Sequence, residues 1–256
     1  NHLLQAFMWL AMEPPSSMTA SGIIKAKVDL LSKVSSIPLN SSSVFLGQYT
    51  AHMGEPGYLD DETVPSGSST PTFASLVLNV ANDRWRGVPF MFTAGKGLDE
   101  RMCEIRVRFR RQPFNQLFGS CSKCNNELVL RVQPNEAVYS IQNFKEPGIT
   151  SEQVRKPVVL DMSYASQFPD AYVGDAYERM FLNCGRGDQS LFVSAPELVE
   201  AWRIFTPLLH EIDRLKPQPV LHKFGTYPEG FVEWTAERGA VFKQTWREYV
   251  CMNEDR

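Results

Sequence analysis

Hydrophobic and polar residues alternate along much of the chain with the period of two that is typical of β-strands. Eight segments show this alternation and are separated by turn-rich connections: SVFLGQYTA, TFASLVLNV, VPFMFTAG, CEIRVRFR, ELVLRVQ, VYSIQNF, PVVLDMSY and QSLFVS. Because the strands follow one another with little helix between them, the pattern favours a large, mainly antiparallel sheet with helices segregated to one face. The predicted fold class is therefore α+β, and a doubly wound parallel sheet is disfavoured.

The first residues of the chain have an unusual pattern. Apolar residues fill nearly every position from Leu3 to Met12, as in a helix that is packed on all sides, and Pro14 and Pro15 end it. This opening has no initial Met and no basic region, and its apolar run is too short to cross a bilayer. We interpret the chain as part of a longer protein whose amino-terminal portion is missing.

The longest helical segment is SAPELVEAWRIFTPLLHEIDRLK. It begins with Ser194 as a cap and Glu197 three residues later, and Pro207 should kink or split it. Shorter helices are predicted in KVDLLSK and GDAYERMFLNC, and GEPGYLDDETVPSGSSTP is predicted to be a long loop. From Val220 onward the residues show no clear period, so no element is predicted there.

Charge and cysteine content argue against several classes of function. The 256-residue chain has a net charge of −3 and a pI of about 5.9, which argues against nucleic-acid binding, since that needs a strongly basic face. Its five cysteines are odd in number and scattered, which favours a reducing compartment and by default the cytosol. Cys121 and Cys124 form only half of a zinc site, and no metal is predicted.

Basic residues gather in two places that are suited to a phosphorylated small molecule. In CEIRVRFR the alternation places Arg106 on a polar face, and Arg131 of the next strand joins it if the two strands pair. In TAGKGLDER, Lys96 and Arg101 surround two glycines, which let a backbone approach a ligand closely. From the pattern alone, a solvated sheet face and a turn with surface cations remain the simpler interpretations. Periodicity also leaves open whether any of the four histidines is structural or acts as a base.

Several long strings resemble, in this order, the carboxy-terminal part of the glucose-6-phosphate dehydrogenase family: NHLLQ, GQY, GYLDDETVP, FASLVLNVANDRWRGVPF, GKGLDER, ELVLRVQPNEAVY, DAYERM and EAWRIFTPLLHEI. The resemblance extends from residue 1 to about Lys216 and weakens from Val220 onward. It implies that residues 1–256 form the β+α substrate and dimerisation domain of a two-domain enzyme. Residues 1–15 would then lie in a helix that continues from a missing Rossmann domain, and residues 217–256 would be a divergent tail.

The activity that the resemblance implies is the oxidation of glucose 6-phosphate to 6-phosphogluconolactone with hydride transfer to NADP, the first step of the oxidative pentose phosphate pathway. His2 matches the family's catalytic base, and Lys96, Arg101 and Gln133 match positions that contact the substrate. Gln133 also explains why the polar string QPNE interrupts an apolar strand pattern. The fragment alone is expected to be inactive, because the coenzyme domain is absent from it.

Many members of the family from animals bind a second, structural NADP on this domain, and the resemblance carries that site to Arg106, Arg131, Tyr139 and Asp161. Two family lysines of the site fall on Met102 and Ile141 here, and its aromatic tail is not recognisable in AVFKQTWREY. The loss of two cations should weaken a phosphate-rich ligand, since a charge-assisted hydrogen bond contributes roughly 1.5–3 kcal/mol. We therefore do not expect this chain to keep the structural NADP.

The resemblance also implies a homodimer formed through the sheet, with a tetramer as a further step. It implies a cytoplasmic enzyme without nucleic-acid or membrane partners, and a relative in the endoplasmic reticulum lumen is the weaker alternative. The alternative from another class is a non-catalytic module, derived from the family, that serves in oligomerisation or ligand binding. Retention of the four matched residues together favours the enzyme: His2, Lys96, Arg101 and Gln133.

Overall fold

The computed structural model describes residues 1–110, 125–145, 147–148, 155–172 and 174–240. Cys121, Cys124 and nearly all of the segment AVFKQTWREY lie outside these residues. Within the described ranges the elements follow one another in this order: α1 (His2–Ala11), α2 (Ala20–Leu31), β1 (Val44–Thr50), β2 (Phe73–Asn79), β3 (Pro89–Gly95), β4 (Cys103–Arg108), β5 (Glu127–Gln133), β6 (Ala137–Lys145), β7 (Arg155–Ser163), α3 (Tyr164–Gln167), α4 (Ala176–Arg186), α5 (Ala195–Leu215), β8 (Val220–Lys223) and α6 (Phe231–Glu237). They form two units, Asn1–Asp99 with Ala176–Arg256, and Glu100–Asp175.

The first unit is built on a four-stranded sheet with the strand order β3-β2-β1-β8. β1, β2 and β3 pair antiparallel, and β8 lies parallel to β1. Helices α1, α2 and α5 pack against one face of this sheet and share a core with strand residues such as Leu78 and Phe92. The short α6 covers the other face, where Phe231 and Trp234 pack on Phe73.

Local caps begin the two long helices of this unit. The Thr19 hydroxyl accepts a hydrogen bond from the Gly22 amide at the start of α2. At the start of α5, Ser194 and Glu197 form the reciprocal capping box that their spacing predicts. α5 then runs through Pro207 as one helix, so the predicted split does not occur.

The second unit contains a four-stranded sheet in the order β4-β5-β6-β7, and every neighbouring pair is antiparallel. One face carries the buried side chains of Val129 and Tyr139 among charged residues. The opposite face carries exposed apolar side chains: Val132, Phe144, Val158, Leu160 and Met162. An exposed group of apolar side chains of this kind is typical of a surface that binds a partner.

The α+β class and the mainly antiparallel pairing are confirmed. The strands divide between two four-stranded sheets, and α6 lies on the opposite face of the first sheet from α1, α2 and α5. The predicted strand QSLFVS is wrong. The Ser190 amide donates to the Asp188 carboxylate in a turn there, and Ser194 already caps α5. β8 and α6 are elements that the sequence pattern did not indicate.

Candidate functional site

The first group of candidate residues lies where α1 meets β3. Phe7 of α1 packs edge-to-face on Phe90 and Phe92 of β3, with ring centroids 4.9 and 5.4 Å apart. Just before β3 begins, the Trp85 indole Nε1 donates to the carbonyl oxygen of the last α1 residue at 2.8 Å. α1 therefore runs antiparallel to β3, and its first residues lie toward the end of β3 that leads into Lys96.

His2 is the first residue of α1, and it is exposed. Asn1 precedes the helix without a side-chain cap hydrogen bond. The next polar side chain is Gln5, almost one turn later on the same face of the helix. An exposed imidazole at this position can accept a proton from a bound molecule, which is the chemistry of a general base.

Lys96 follows β3 in a tight loop that backbone contacts hold in place. Its amide donates to the Thr72 carbonyl oxygen at 2.9 Å. Gly97 has a φ of +64°, and a Cβ at this position would lie 2.7 Å from the Tyr49 ring, so glycine suits it best. The Gly97 carbonyl oxygen also accepts from the Gly225 amide at 2.8 Å. The loop therefore presents the exposed Lys96 side chain from a fixed backbone.

The second group lies at one end of the β4–β5 pair in the second unit. Gln133, the last residue of β5, pairs with Cys103, the first residue of β4. Arg101 precedes Cys103 by two residues, and both Arg101 and Gln133 are exposed. The chain turns after Gln133, with Asn135 at a φ of +56°. Arg101 and Gln133 thus share one end of the second sheet, where the polar string QPNE begins.

The residues predicted for a structural NADP lie in or beside a row across the face of the second sheet that carries Val129 and Tyr139. The register places Arg106 opposite Val129, Val129 opposite Tyr139, and Tyr139 opposite Asp161. Arg131 lies beside this row, with its guanidinium carbon 5.8 Å from the Tyr139 ring centroid. The two arginines therefore gather on one face, as the alternation of their strands predicts.

Carboxylates accompany these arginines. The Arg106 guanidinium pairs with Glu104 through Nε and with Glu127 through Nη1, the second contact at 3.2 Å. Burial alone would lower the pKa of Arg106, but the Glu104 carboxylate raises it, so the net shift is upward. Burial raises the pKa of the Tyr139 phenol, and Glu104 adds to the rise. Arg106 is therefore a charged partner of two carboxylates on a partly buried face.

This face suits an ion-pair network better than a dinucleotide phosphate. Ile141 is buried directly opposite Glu127, and the side chains of Ile141 and Met102 cannot donate a hydrogen bond to a phosphate oxygen. A phosphate would also have to compete with two carboxylates for Arg106. The described residues therefore fit a structural NADP poorly.

The described ranges meet neither the requirements of a metal site nor those of a membrane-spanning helix. No group of three His, Cys, Asp or Glu side chains in those ranges is placed to hold a metal ion. None of the helices in the same ranges combines the length and the apolar character needed to cross a bilayer. Cys103 and Cys184 are free thiols.

Sequence reasoning missed three side chains whose contacts the structure shows. Tyr49 packs beneath Gly97, and nothing in the string GQY indicates which loop it contacts. Glu127 could have been found, since alternation along β5 places it on the same face as Arg131. Lys27 comes four residues after Ile23 and therefore lies on the apolar face of α2. A charged residue at such a position is the sequence signal of a buried charge.

Comparison with known proteins relates nearly the whole chain to one enzyme family. Residues 1–247 match the sequence profile of the family described as glucose-6-phosphate dehydrogenase, C-terminal domain. The chain is 44% identical over 236 residues to the glucose-6-phosphate 1-dehydrogenase of Takifugu rubripes. It is 44% identical over 226 residues to the cytoplasmic isoform of glucose-6-phosphate 1-dehydrogenase from Solanum tuberosum. Each match covers 88% of this chain and 42% of the relative, so the chain spans less than half of the relatives' length.

A solved structure described as glucose-6-phosphate dehydrogenase in complex with its substrate glucose-6-phosphate has a similar fold. The similarity has a TM-score of 0.85 at 38% sequence identity, and it covers 95% of this chain and 50% of that chain. The two units described above therefore have counterparts in that protein.

Proposed function

Since the chain belongs to the glucose-6-phosphate dehydrogenase family and matches its C-terminal domain, we propose that the whole protein oxidises glucose 6-phosphate to 6-phosphogluconolactone and reduces NADP. The observation that carries the proposal is the course of α1 along β3, which places His2 and Lys96 toward the same end of the first sheet. A base and a cation at one edge suit an anionic sugar. The similar protein described in complex with glucose-6-phosphate supports the same substrate class.

His2 acts as the general base in this proposal. Its imidazole accepts the proton of the hydroxyl on sugar carbon C1 while the C–H bond at that carbon breaks. The hydrogen of that bond leaves with both bonding electrons as a hydride, which NADP would accept when bound. C1 thereby becomes the lactone carbonyl carbon, and the proton stays on His2 until solvent removes it.

Lys96, Arg101 and Gln133 bind the substrate in this proposal. Lys96 presents its ammonium from a loop whose backbone is already ordered, so binding costs little further loop entropy. Arg101 has a planar guanidinium that can form paired hydrogen bonds with a phosphate, and Gln133 has an amide that can bind sugar hydroxyls. These residue types match a ligand that is both anionic and rich in hydroxyl groups.

The second sheet does not retain a tight structural NADP site in this proposal. Arg106 is ion-paired with Glu104 and Glu127, and Met102 and Ile141 stand where the family resemblance places lysines. The coenzyme that takes part in the reaction would bind mainly to the Rossmann domain of the longer protein, which the resemblance implies.

Comparison of the full-length protein with this chain alone tests the activity. We expect the full-length protein to reduce NADP when glucose 6-phosphate is supplied, as followed by the absorbance of NADPH. The chain alone is expected to be inactive, because it spans less than half of the length of its relatives. A full-length protein that folds and dimerises but never reduces NADP would instead support a non-catalytic module for oligomerisation or ligand binding.

We also propose a homodimer formed through the exposed apolar face of the second sheet. Leu160 and Met162 of β7 lie opposite Ser140 and Val138 of β6 on this face, and Leu160 is 48% exposed. A second copy would cover the face with the same patch, as two-fold symmetry requires, and stable dimers commonly bury more than about 2,000 Å². A tetramer would need a further, different contact between dimers.

Leu160→Asp is expected to shift the full-length protein from dimer to monomer at low micromolar concentration, because a carboxylate in an apolar interface would lose its hydration without gaining a partner. Sedimentation velocity measures the change. Met53→Asp is the matched control, since Met53 is 88% exposed on a loop of the first unit. A Leu160→Asp dimer as stable as the wild type would remove this face from the interface.

The proposed location is the cytoplasm. The relative from Solanum tuberosum is named a cytoplasmic isoform. The free thiols of Cys103 and Cys184 fit a reducing compartment.

A further inference from the structure

A buried polar cluster joins α1 to α2 and α5. The Gln5 amide nitrogen of α1 donates to Oε2 of Glu197 in α5 at 3.3 Å, and the Gln5 amide oxygen accepts from Nζ of Lys27 in α2 at 3.3 Å. Lys27 and Glu197 are each 1% exposed, and their Nζ and Oε2 atoms are 3.6 Å apart. The three side chains therefore form one hydrogen-bonded, charge-paired unit within the helical core.

This cluster lies on the face of α1 that begins with His2. His2, Gln5 and Trp9 are separated by three and then four residues, so they form one stripe along the helix. The Lys27 ammonium lies 4.6 Å from the Trp9 ring centroid. Lys27 therefore contacts both of the residues that follow His2 along the stripe.

Apolar packing discriminates weakly between rotations of α1 about its axis, because apolar residues lie on all of its sides. Apart from His2, Gln5 and Trp9, every residue of the helix is aliphatic, aromatic or Met, and the hydrophobic effect is non-directional. Hydrogen bonds to a buried charge pair are directional, and a buried polar group left unpaired is costly. A buried ion pair often contributes no more stability than apolar residues of similar volume. The Lys27–Glu197 pair is therefore better explained by its ability to specify one arrangement of the three helices.

We infer that the Lys27–Glu197 pair, acting through Gln5, fixes the rotation of α1 and thereby positions the His2 imidazole for proton transfer. The inference rests on the proposed role of His2 as the general base. Gln5, Lys27 and Glu197 are positioning residues that act through His2.

The first test replaces Gln5 by leucine in the full-length protein. Leucine favours the helix and nearly fills the same volume, but it removes both hydrogen bonds. We expect kcat to fall about 10- to 100-fold, because a misplacement of about 1 Å can cost on the order of 100-fold in rate, while both Michaelis constants stay nearly unchanged. Leu4→Val is the matched control on the same helix, because Leu4 is a buried member of the apolar core and its side chain has no polar group to lose. It is expected to lower Tm and to leave kcat nearly unchanged.

A double-mutant cycle with His2→Asn separates positioning from general damage. If Gln5 acts through His2, Gln5→Leu has little further effect on kcat once His2 is asparagine. An equal loss in both backgrounds, or a wild-type kcat in folded Gln5→Leu, would overturn the inference and leave the proposed function standing. Near-normal turnover of His2→Asn itself would overturn the assignment of His2, and the inference with it.

Lys27→Met combined with Glu197→Gln is the second variant, and it covers the case in which Gln5→Leu does not fold. Glutamine at position 197 keeps the capping box with Ser194, and methionine replaces the buried ammonium by an apolar chain of similar reach. The same selective loss of kcat is expected. A folded double variant with the kcat of the wild type would also overturn the inference.

Discussion

Asparagine in place of His2 is expected to lower the kcat of the full-length protein by about 10²- to 10⁴-fold, which is the usual contribution of a positioned general base. The amide of asparagine keeps a hydrogen-bonding group near the C1 hydroxyl but cannot accept its proton. The Michaelis constants should change little, because the proton moves in the transition state and the lost interaction is absent from the ground state. Initial rates with both substrates varied in turn measure these constants separately.

His210→Asn is the control for the same substitution, because His210 is exposed on α5. It should leave kcat at the wild-type value. Deuterium at C1 of glucose 6-phosphate gives an independent readout, since slower chemistry in His2→Asn makes hydride transfer more fully rate-limiting and raises the isotope effect on kcat. A His2→Asn protein that folds and turns over at nearly the wild-type rate would contradict the assignment.

Local patterns were sufficient for the elements whose stability is local. The alternation in CEIRVRFR and ELVLRVQ predicts that Arg106 and Arg131 share a face, because side-chain direction in a strand has a fixed period. The spacing of Ser194 and Glu197 likewise predicts where α5 begins. β8 could not be predicted in this way. It has only the four residues VLHK, and it is held by pairing with β1, including a hydrogen bond from Thr50 Oγ1 to the His222 carbonyl oxygen at 3.1 Å.

The candidate site could be predicted from family resemblance but not from pattern. Neither charge nor period distinguishes His2 from the other three histidines. The course of α1 along β3 depends on two contacts between residues that are distant in sequence. Phe7 packs on Phe90 and Phe92, and Trp85 donates to the Ala11 carbonyl oxygen. The Lys27–Glu197 pair joins residues that are also far apart along the chain. Such pairings depend on tertiary packing, whereas periodicity reports only on the immediate neighbourhood of each residue.

The loop that follows β3 determines what is expected of Lys96. Gly97 and its neighbours order the loop backbone before any ligand binds, so the Lys96 side chain extends from a fixed backbone position. A charge-assisted hydrogen bond from Lys96 to the anionic sugar would contribute about 1.5–3 kcal/mol. Because the sugar carries the same charge before and during hydride transfer, the contact should stabilise the ground state and the transition state alike.

Lys96→Ala is therefore expected to raise the Michaelis constant for glucose 6-phosphate by about 10- to 150-fold, the ratio that corresponds to the loss of 1.5–3 kcal/mol. The Michaelis constant for NADP and kcat should stay nearly unchanged. Lys25→Ala is the matched control, since the Lys25 side chain is 70% exposed and pairs only with Asp29 among the described ion pairs. Arg101→Ala examines the second unit by the same measurement. If Lys96→Ala altered the Michaelis constants for both substrates equally, or neither of them, Lys96 would be an ordinary surface cation, because a residue that binds the sugar must act selectively on the affinity for the sugar.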